Sequence, residues 1–120
     1  MSHRRRSILE KKIQADIEAD LGAEADLLLI RNAVGKATYL NEEAHEFHVP
    51  YGLGKGSPDL VGILAPLGRW LCLEVKADEG DVDPEQVKCH AIWRRFGALI
   101  FVVRTVDEAR AALEEARRSP

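Results

Sequence analysis

The stretch Asp59-Leu-Val-Gly-Ile-Leu-Ala-Pro-Leu-Gly-Arg-Trp-Leu-Cys-Leu-Glu-Val-Lys76 decides how the chain folds. Asp59 to Ala65 is an apolar run between Pro58 and the turn formers Pro66, Leu67 and Gly68. Short apolar runs that end in turn residues read as buried strands. Arg69 to Lys76 repeats the pattern, so the two runs predict an antiparallel hairpin. Side chains alternate along a strand, so Leu71, Leu73 and Val75 point to one face and Glu74 and Lys76 to the other. Glu74 and Lys76 are then about 7 Å apart along the chain. Charges within an apolar strand are costly unless they are paired or bound to a metal. Asp59 opens the neighbouring strand. Two carboxylates on adjacent strands, with a lysine two residues on, can share a hard divalent cation.

On the N-terminal side, Ser7 to about Leu21 reads as a helix. Leu9, Ile13, Ile17 and Leu21 recur every fourth residue and form one apolar stripe. Ser7 with Glu10 fits a capping box, and Gly22 is a stop signal. Asp26 to Asn32, with Leu27, Leu28, Leu29 and Ile30 in a row, reads as a buried strand. Residues 33–58 are polar and Gly-rich. Thr38 to Leu40 and Glu46 to Val49 are candidate short strands, and 51–58 is a loop. A loop of that length in a short chain is usually functional or mobile.

On the C-terminal side, Ala77 to Asp83 is an acidic loop. Asp83 is a good N-cap, with Pro84 at the first helical position. The helix should run to about Phe96, with Val87, Ile92, Trp93 and Phe96 as core contacts, and end at Gly97. Ala98 to Arg104 is another buried strand. Thr105 or Asp107 caps a last helix through Ala116. The order is helix, strand, irregular region, strand, strand, helix, strand, helix. With the irregular region left out, that is an α/β chain of order α-β-β-β-α-β-α. Nearly every strand is apolar on both sides, so the sheet is expected to carry helices on both faces.

Composition narrows the classes. A chain of 120 residues, 46% hydrophobic and 31% charged, is the size and balance of one soluble globular domain. No apolar run is long enough to span a membrane, and no secretion signal follows the basic start. The two cysteines, Cys72 and Cys89, lie in apolar stretches and form no C-x-x-C pair, so a reducing cytoplasm is expected. A net charge of −3 argues against a chain whose whole surface coats nucleic acid, but not against a local basic patch beside an acidic site.

That site suits phosphodiester hydrolysis. A phosphate repels an incoming hydroxide. A bound divalent cation orients the phosphate oxygens, lowers the pKa of a water and stabilises developing charge. Asp59 and Glu74 would supply metal oxygens. Lys76 would hold or polarise the attacking water, or neutralise charge in the transition state. Two other motifs fail. Gly52-x-Gly54-x-Gly56 is no phosphate-binding loop, because Gly56 separates Lys55 from Ser57 and a strand follows rather than a helix. His45 and His48 are three apart and Cys89 adjoins His90, spacings that give little support to the four convergent ligands zinc needs. Cys72 and Cys89 read as small core residues.

Ser-Pro-Asp at 57–59 followed by Glu-Val-Lys at 74–76 resembles the PD-(D/E)xK nuclease pattern. The surroundings resemble one branch of it, the virus-type replication-repair nuclease (VRR-NUC) domain. The matching pieces are Glu10-Lys-Lys-Ile-Gln14, Arg31-Asn32, Gly56-Ser-Pro-Asp-Leu60, Leu73-Glu-Val-Lys76, Pro84-Glu-Gln86 and Val102-Val-Arg104 with its final helix. They fall in this order on the expected elements, from about residue 7 to 116. The resemblance implies a restriction-endonuclease-like core, a mixed central sheet flanked by helices, within a single nuclease domain over 1–120. It implies an Mg²⁺- or Mn²⁺-dependent endonuclease. Asp59, Glu74 and the backbone carbonyl of Val75 would ligate the metal, and Glu10 would join them directly or through a water. Lys76 would be the catalytic lysine, and Glu10 and Gln86 would line the site.

Glu10 and Gln86 each have a bland reading as capping-box residues. Arg31 and Asn32 end a strand beside a loop, where phosphate contacts or a surface salt bridge fit equally. Lys55 and Ser57, in the loop before Asp59, are candidate DNA contacts. Arg4, Arg5 and Arg6 form a basic arm over 1–6 that reads either as a DNA-backbone contact or as a disordered, solubilising tail. Small stand-alone members of the family resemble Holliday-junction resolvases that work as dimers. The expected substrate is therefore branched DNA, a four-way junction, cut by a homodimer in a prokaryotic cytoplasm or in the host cell of a virus. The alternatives are a non-catalytic nucleic-acid-binding module on the same fold, a nuclease subunit that needs a partner, or a protein whose acidic cluster only binds Ca²⁺.

Overall fold

A computed structural model describes residues 2–120. Helix α1 spans His3–Leu21 and strand β1 Leu27–Arg31. Strands β2, Gly35–Leu40, and β3, Glu46–Tyr51, form a separate ribbon. Strand β4 spans Leu60–Leu64 and β5 Arg69–Val75. Helix α2, Pro84–Arg95, leads to β6, Leu99–Val103, and α3, Val106–Arg118, closes the chain. The main sheet has the order β1-β4-β5-β6. β4 is antiparallel to β1 and β5, whereas β6 runs parallel to β5, so the sheet is mixed, as the resemblance implies.

The core lies on one face of that sheet. Ile17 and Leu21 of α1 and Ala109, Ala112, Leu113 and Ala116 of α3 close over Leu60, Leu64, Leu71, Leu73, Val75 and Val103. Ile13 packs against this cluster, so the stripe read in α1 is the one buried. Alternation along β5 also holds. Leu71, Leu73 and Val75 enter this core, while Cys72 joins a smaller cluster with Val61 and Ile100 on the opposite face, under Trp93 of α2. Thr105 caps α3 by accepting the Glu108 N–H at 3.0 Å. Asp83 caps α2 with Pro84 behind it, and Gly97, at φ 101°, follows the helix end.

Four expectations need correction. Helix α1 starts one turn early, because Ser2 rather than Ser7 is its N-cap and accepts the Arg5 N–H at 3.1 Å. Both serines are capable caps, and no residue between them breaks a helix. The capping box of Ser7 and Glu10 is therefore not formed, and His3–Arg6 are helical rather than a loose arm. Met1, the remaining residue of that arm, lies outside the described residues.

The irregular region is more regular than its composition suggests. Its two short strands extend to six residues each, and every residue of β3 is exposed. Polarity hid them, because a ribbon with no sheet beneath it need not be apolar on both faces.

Helix α2 turns a different side inward from the one predicted. Val87, Ile92 and Phe96 are exposed, whereas His90 is buried and Trp93 packs on the sheet. Gln86, Cys89, His90 and Trp93 share one helix face, from which Val87 and Ile92 turn away, and Phe96 lies just past the helix end. Finally, β1 is an edge strand. Leu27 is buried, but Leu28 and Ile30 are exposed, because no helix covers the α2-side face at that edge.

Candidate active site

The chemistry gathers at the C-terminal end of β5, where its parallel neighbour β6 also ends. Ligand sites in sheets with parallel strands open at such ends. The β4–β5 register pairs Leu60 with Leu73. One residue beyond the ladder, Asp59 therefore stands opposite Glu74, and its Oδ2 accepts the Val75 N–H at 2.8 Å.

Asn32 holds Asp59 in place. Its backbone N–H donates to the Asp59 carbonyl at 2.9 Å. Its side-chain amide donates to Ser57 Oγ at 2.7 Å and to the Pro58 carbonyl at 2.8 Å, and its Oδ1 accepts the Leu53 N–H at 3.1 Å. Buried Ser57 in turn donates to the Gly54 carbonyl at 2.5 Å. Gly56 has φ +86°, and a Cβ there would lie 2.6 Å from the Glu85 carbonyl, so the loop can press on α2 only as glycine.

Glu74 is 1% exposed and Lys76, just past the end of β5, 8% exposed, both unusual for charged residues. Burial, with the adjacent Asp59 carboxylate adding to it, raises the Glu74 pKa well above the ordinary carboxylate range, and Lys76 offsets part of this. On the other side of Glu74, His90 Nε2 lies 3.2 Å from Oε1. Burial lowers the imidazole pKa, and Arg94 lowers it further.

The remaining predicted residues divide. Glu10 Oε1 accepts the Ala77 N–H at 3.3 Å, and Glu10 lines a cleft with Arg6, Lys76, Asp81 and Asp83. Gln86 lines a second cleft with Asn32, Lys55, Ser57 and Asp59. Its Oε1 also accepts the Asp83 N–H at 3.0 Å, completing a capping box at the edge of that cleft. Lys55 is exposed and pairs with Glu85 at 3.4 Å. Arg31 lines neither cleft, because Glu18 holds its guanidinium through bonds of 2.9 and 3.1 Å. Asn32 and Ser57 spend their polar atoms on each other and on the loop, which makes them supports of Asp59. Arg4 and Arg5 are exposed on the first turn of α1.

Sequence reading missed two contributors. Arg104 donates to the carbonyls of Ala77 and Gly80, both at 2.7 Å, and pins the loop that follows Lys76. An arginine ending an apolar strand was the available signal. His90 was weighed only as a zinc ligand, and its spacing of four from Gln86 was the signal that both share one helix face.

Comparison with solved structures finds a VRR_NUC domain that is 26% identical, with a TM-score of 0.59, over 88% of this chain and 95% of that one. This chain has the VRR-NUC fold. No protein-family model and no curated protein matches the sequence. The likeness places the chain's fold with that of a nuclease-type domain. Among the described residues no helix is long and apolar enough to cross a membrane.

The donor set also fits what a VRR-NUC domain would need for a divalent cation. Among the described residues no three His, Cys, Asp or Glu side chains converge as a ready metal cluster. What Asp59 and Glu74 offer is a pair of carboxylates, one buried and one half-buried, that two full negative charges would strain. Mg²⁺ takes such a pair well, since it binds through one or two carboxylates and keeps several waters.

Proposed function

We propose that this chain is a divalent-metal-dependent DNA endonuclease, selective for branched DNA, with a four-way junction as the favoured substrate. The observation that carries this reading is the pairing of Asp59 with Glu74 across the β4–β5 ladder, with buried Lys76 beyond them. Asp59, Glu74 and the Val75 carbonyl would hold Mg²⁺ or Mn²⁺, and Glu10 would reach it through a water. The cation would supply Lewis-acid activation of a water and of the phosphate.

The chain's own groups do the rest. Lys76 Nζ, confined by burial, orients the attacking water by hydrogen bonding and offsets negative charge that grows on the phosphorane-like transition state. Glu10 and Arg104 fix the backbone after Lys76, so its ammonium keeps one position. Asn32 and Ser57 fix Asp59. Lys55, Arg6 and the exposed Arg4 and Arg5 flank the two clefts and contact DNA phosphates, which sets the register of the duplex arms without reading sequence.

The active form would be a homodimer. In the β2–β3 ribbon, Tyr39 pairs with Phe47 and Ala37 with Val49. Tyr39, Phe47, Val49 and Tyr51 lie on one face, all between 42% and 51% exposed. An isolated two-stranded ribbon is marginal in water. A second copy would cover this face and place two cutting sites about a two-fold axis, which matches the two cuts a junction requires.

The test is cleavage of labelled four-way junction, duplex and single-stranded DNA in Mg²⁺, Mn²⁺, Ca²⁺ and EDTA, with Lys76→Ala as control. Paired nicks confined to the junction, absent in EDTA and in the variant, are the expected outcome. Binding of junction DNA without cleavage in any metal would replace this reading with a non-catalytic module.

A further inference from the structure

Helix α2 is rotated against the apolar content of its own sequence. It leaves Val87, Ile92 and Phe96 in solvent, Phe96 at 86%, while His90 is buried to 2%. An imidazole taken out of water is unfavourable unless a partner receives it. The partner is Glu74, itself 1% exposed, with Oε1 3.2 Å from His90 Nε2. The rotation of α2 thus delivers a hydrogen-bonding group to the deepest carboxylate of the sheet.

We propose that His90 is the positioning residue of that carboxylate: its Nε2–H holds Oε1 of Glu74 and leaves Oε2 for the divalent cation shared with Asp59. This rests on the reading of Asp59 and Glu74 as metal ligands. A glutamate has several rotatable bonds, and a ligand that must be ordered first binds a metal more weakly. Each of the two carboxylates then has its own orienting donor. The Val75 N–H holds Oδ2 of Asp59 at 2.8 Å, and His90 holds Oε1 of Glu74. Outer donors of this kind typically change metal affinity about 10- to 100-fold. Gln86, one turn earlier on the same helix face, lies beside Asp59, so a single rigid helix serves both carboxylates.

The test compares the wild type, His90→Gln, His90→Leu and Asp59→Asn by calorimetric titration with Mn²⁺, alongside Mn²⁺-dependence of junction cleavage. His90→Gln keeps an N–H donor, and His90→Leu keeps the bulk without it. His90→Leu should weaken Mn²⁺ binding about 10- to 100-fold. It should raise the Mn²⁺ concentration for half-maximal cleavage equally, with the rate largely restored at saturating Mn²⁺. His90→Gln should stay within a few-fold of the wild type. Unchanged Mn²⁺ binding by His90→Leu, while Asp59→Asn abolishes it, overturns the role of His90 and spares the metal site. Failure of the wild type to bind Mn²⁺, or undiminished binding by Asp59→Asn, overturns the metal site and the role of His90 with it.

A second measurement needs no stable variant at position 90. A long-range ¹H–¹⁵N spectrum of the wild type in Mg²⁺ should show His90 protonated on Nε2. Protonation on Nδ1 alone overturns the proposal, whatever the variants do.

Discussion

Asp59 accepts the Val75 N–H at 2.8 Å and thereby faces Glu74, the residue before Val75, across the β4–β5 ladder. One backbone bond fixes the spacing of two acidic groups that repel each other. The pair is arranged for a cation rather than for stability. Glu74→Gln should therefore raise the thermal midpoint of the metal-free protein by a few degrees at pH 8, since it removes a buried acid facing another. Cleavage should vanish while DNA binding persists. A calorimetric scan in EDTA and a gel-shift assay check both, and full cleavage by Glu74→Gln or Asp59→Asn would remove these residues from the site.

Lys76→Ala should reduce junction cleavage by at least about 100-fold, the usual loss when a preorganised charge is removed from a reacting centre. Affinity for junction DNA, measured in Ca²⁺, should change little, because an 8%-exposed ammonium makes few ground-state contacts.

Asn32→Ala separates a supporting role from a DNA contact. The side chain makes three hydrogen bonds to the 53–58 loop. Their loss should destabilise the fold by about 1–3 kcal/mol in urea unfolding and slow cleavage through a looser Asp59. Unchanged stability with weaker DNA binding would mark Asn32 as a phosphate contact instead.

Phe47→Glu should break the dimer. Phe47 stacks on Tyr39, with ring centroids 5.6 Å apart, on the uncovered ribbon face. Light scattering should show the mass falling to that of one chain, and junction cuts should become single unpaired nicks. A wild type that is already monomeric would place the ribbon in another role.

Acid should loosen the join between α1 and α3. Arg110 holds Asp20 and Glu24, and Arg117 holds Glu24 and Asp26, through bonds of 2.7 to 3.1 Å. Hydrogen bonds from these arginines lower all three carboxylate pKa values. A lowered folded-state pKa contributes stability above the unfolded value and loses it as pH falls through the folded value. The urea midpoint should therefore drop below about pH 4, near the ordinary carboxylate range. Arg117→Gln should flatten that drop. The effect should be small, because these pairs are solvent-exposed and screened by salt.

Much of this architecture is readable from neighbours along the chain. Alternation in Leu71-Cys-Leu-Glu-Val75 sorts the core from the site, because a strand has only two faces. Asp83, Pro84 and Thr105 mark helix starts through chemistry confined to one turn. The stripe from Leu9 to Leu21 announces the face of α1 that packs. Even the opposition of Asp59 and Glu74 follows from a short hairpin, whose turn leaves little freedom of register.

What lay beyond such local rules was settled by packing. Ser2 and Ser7 are both capable caps, and the box with Glu10 points to Ser7, yet the folded helix begins at Ser2. The side of α2 that meets the sheet depends on what lies beneath it, so apolar Val87 and Phe96 yield to His90, whose partner is 16 residues away. Arg31 and Asn32, adjacent in sequence, part company at the end of β1. Arg31 turns to Glu18 on α1, and Asn32 to the loop around Ser57. Pairings between distant segments depend on how whole elements dock, and that burial and hydrogen bonding is decided only when the sheet and its helices close together.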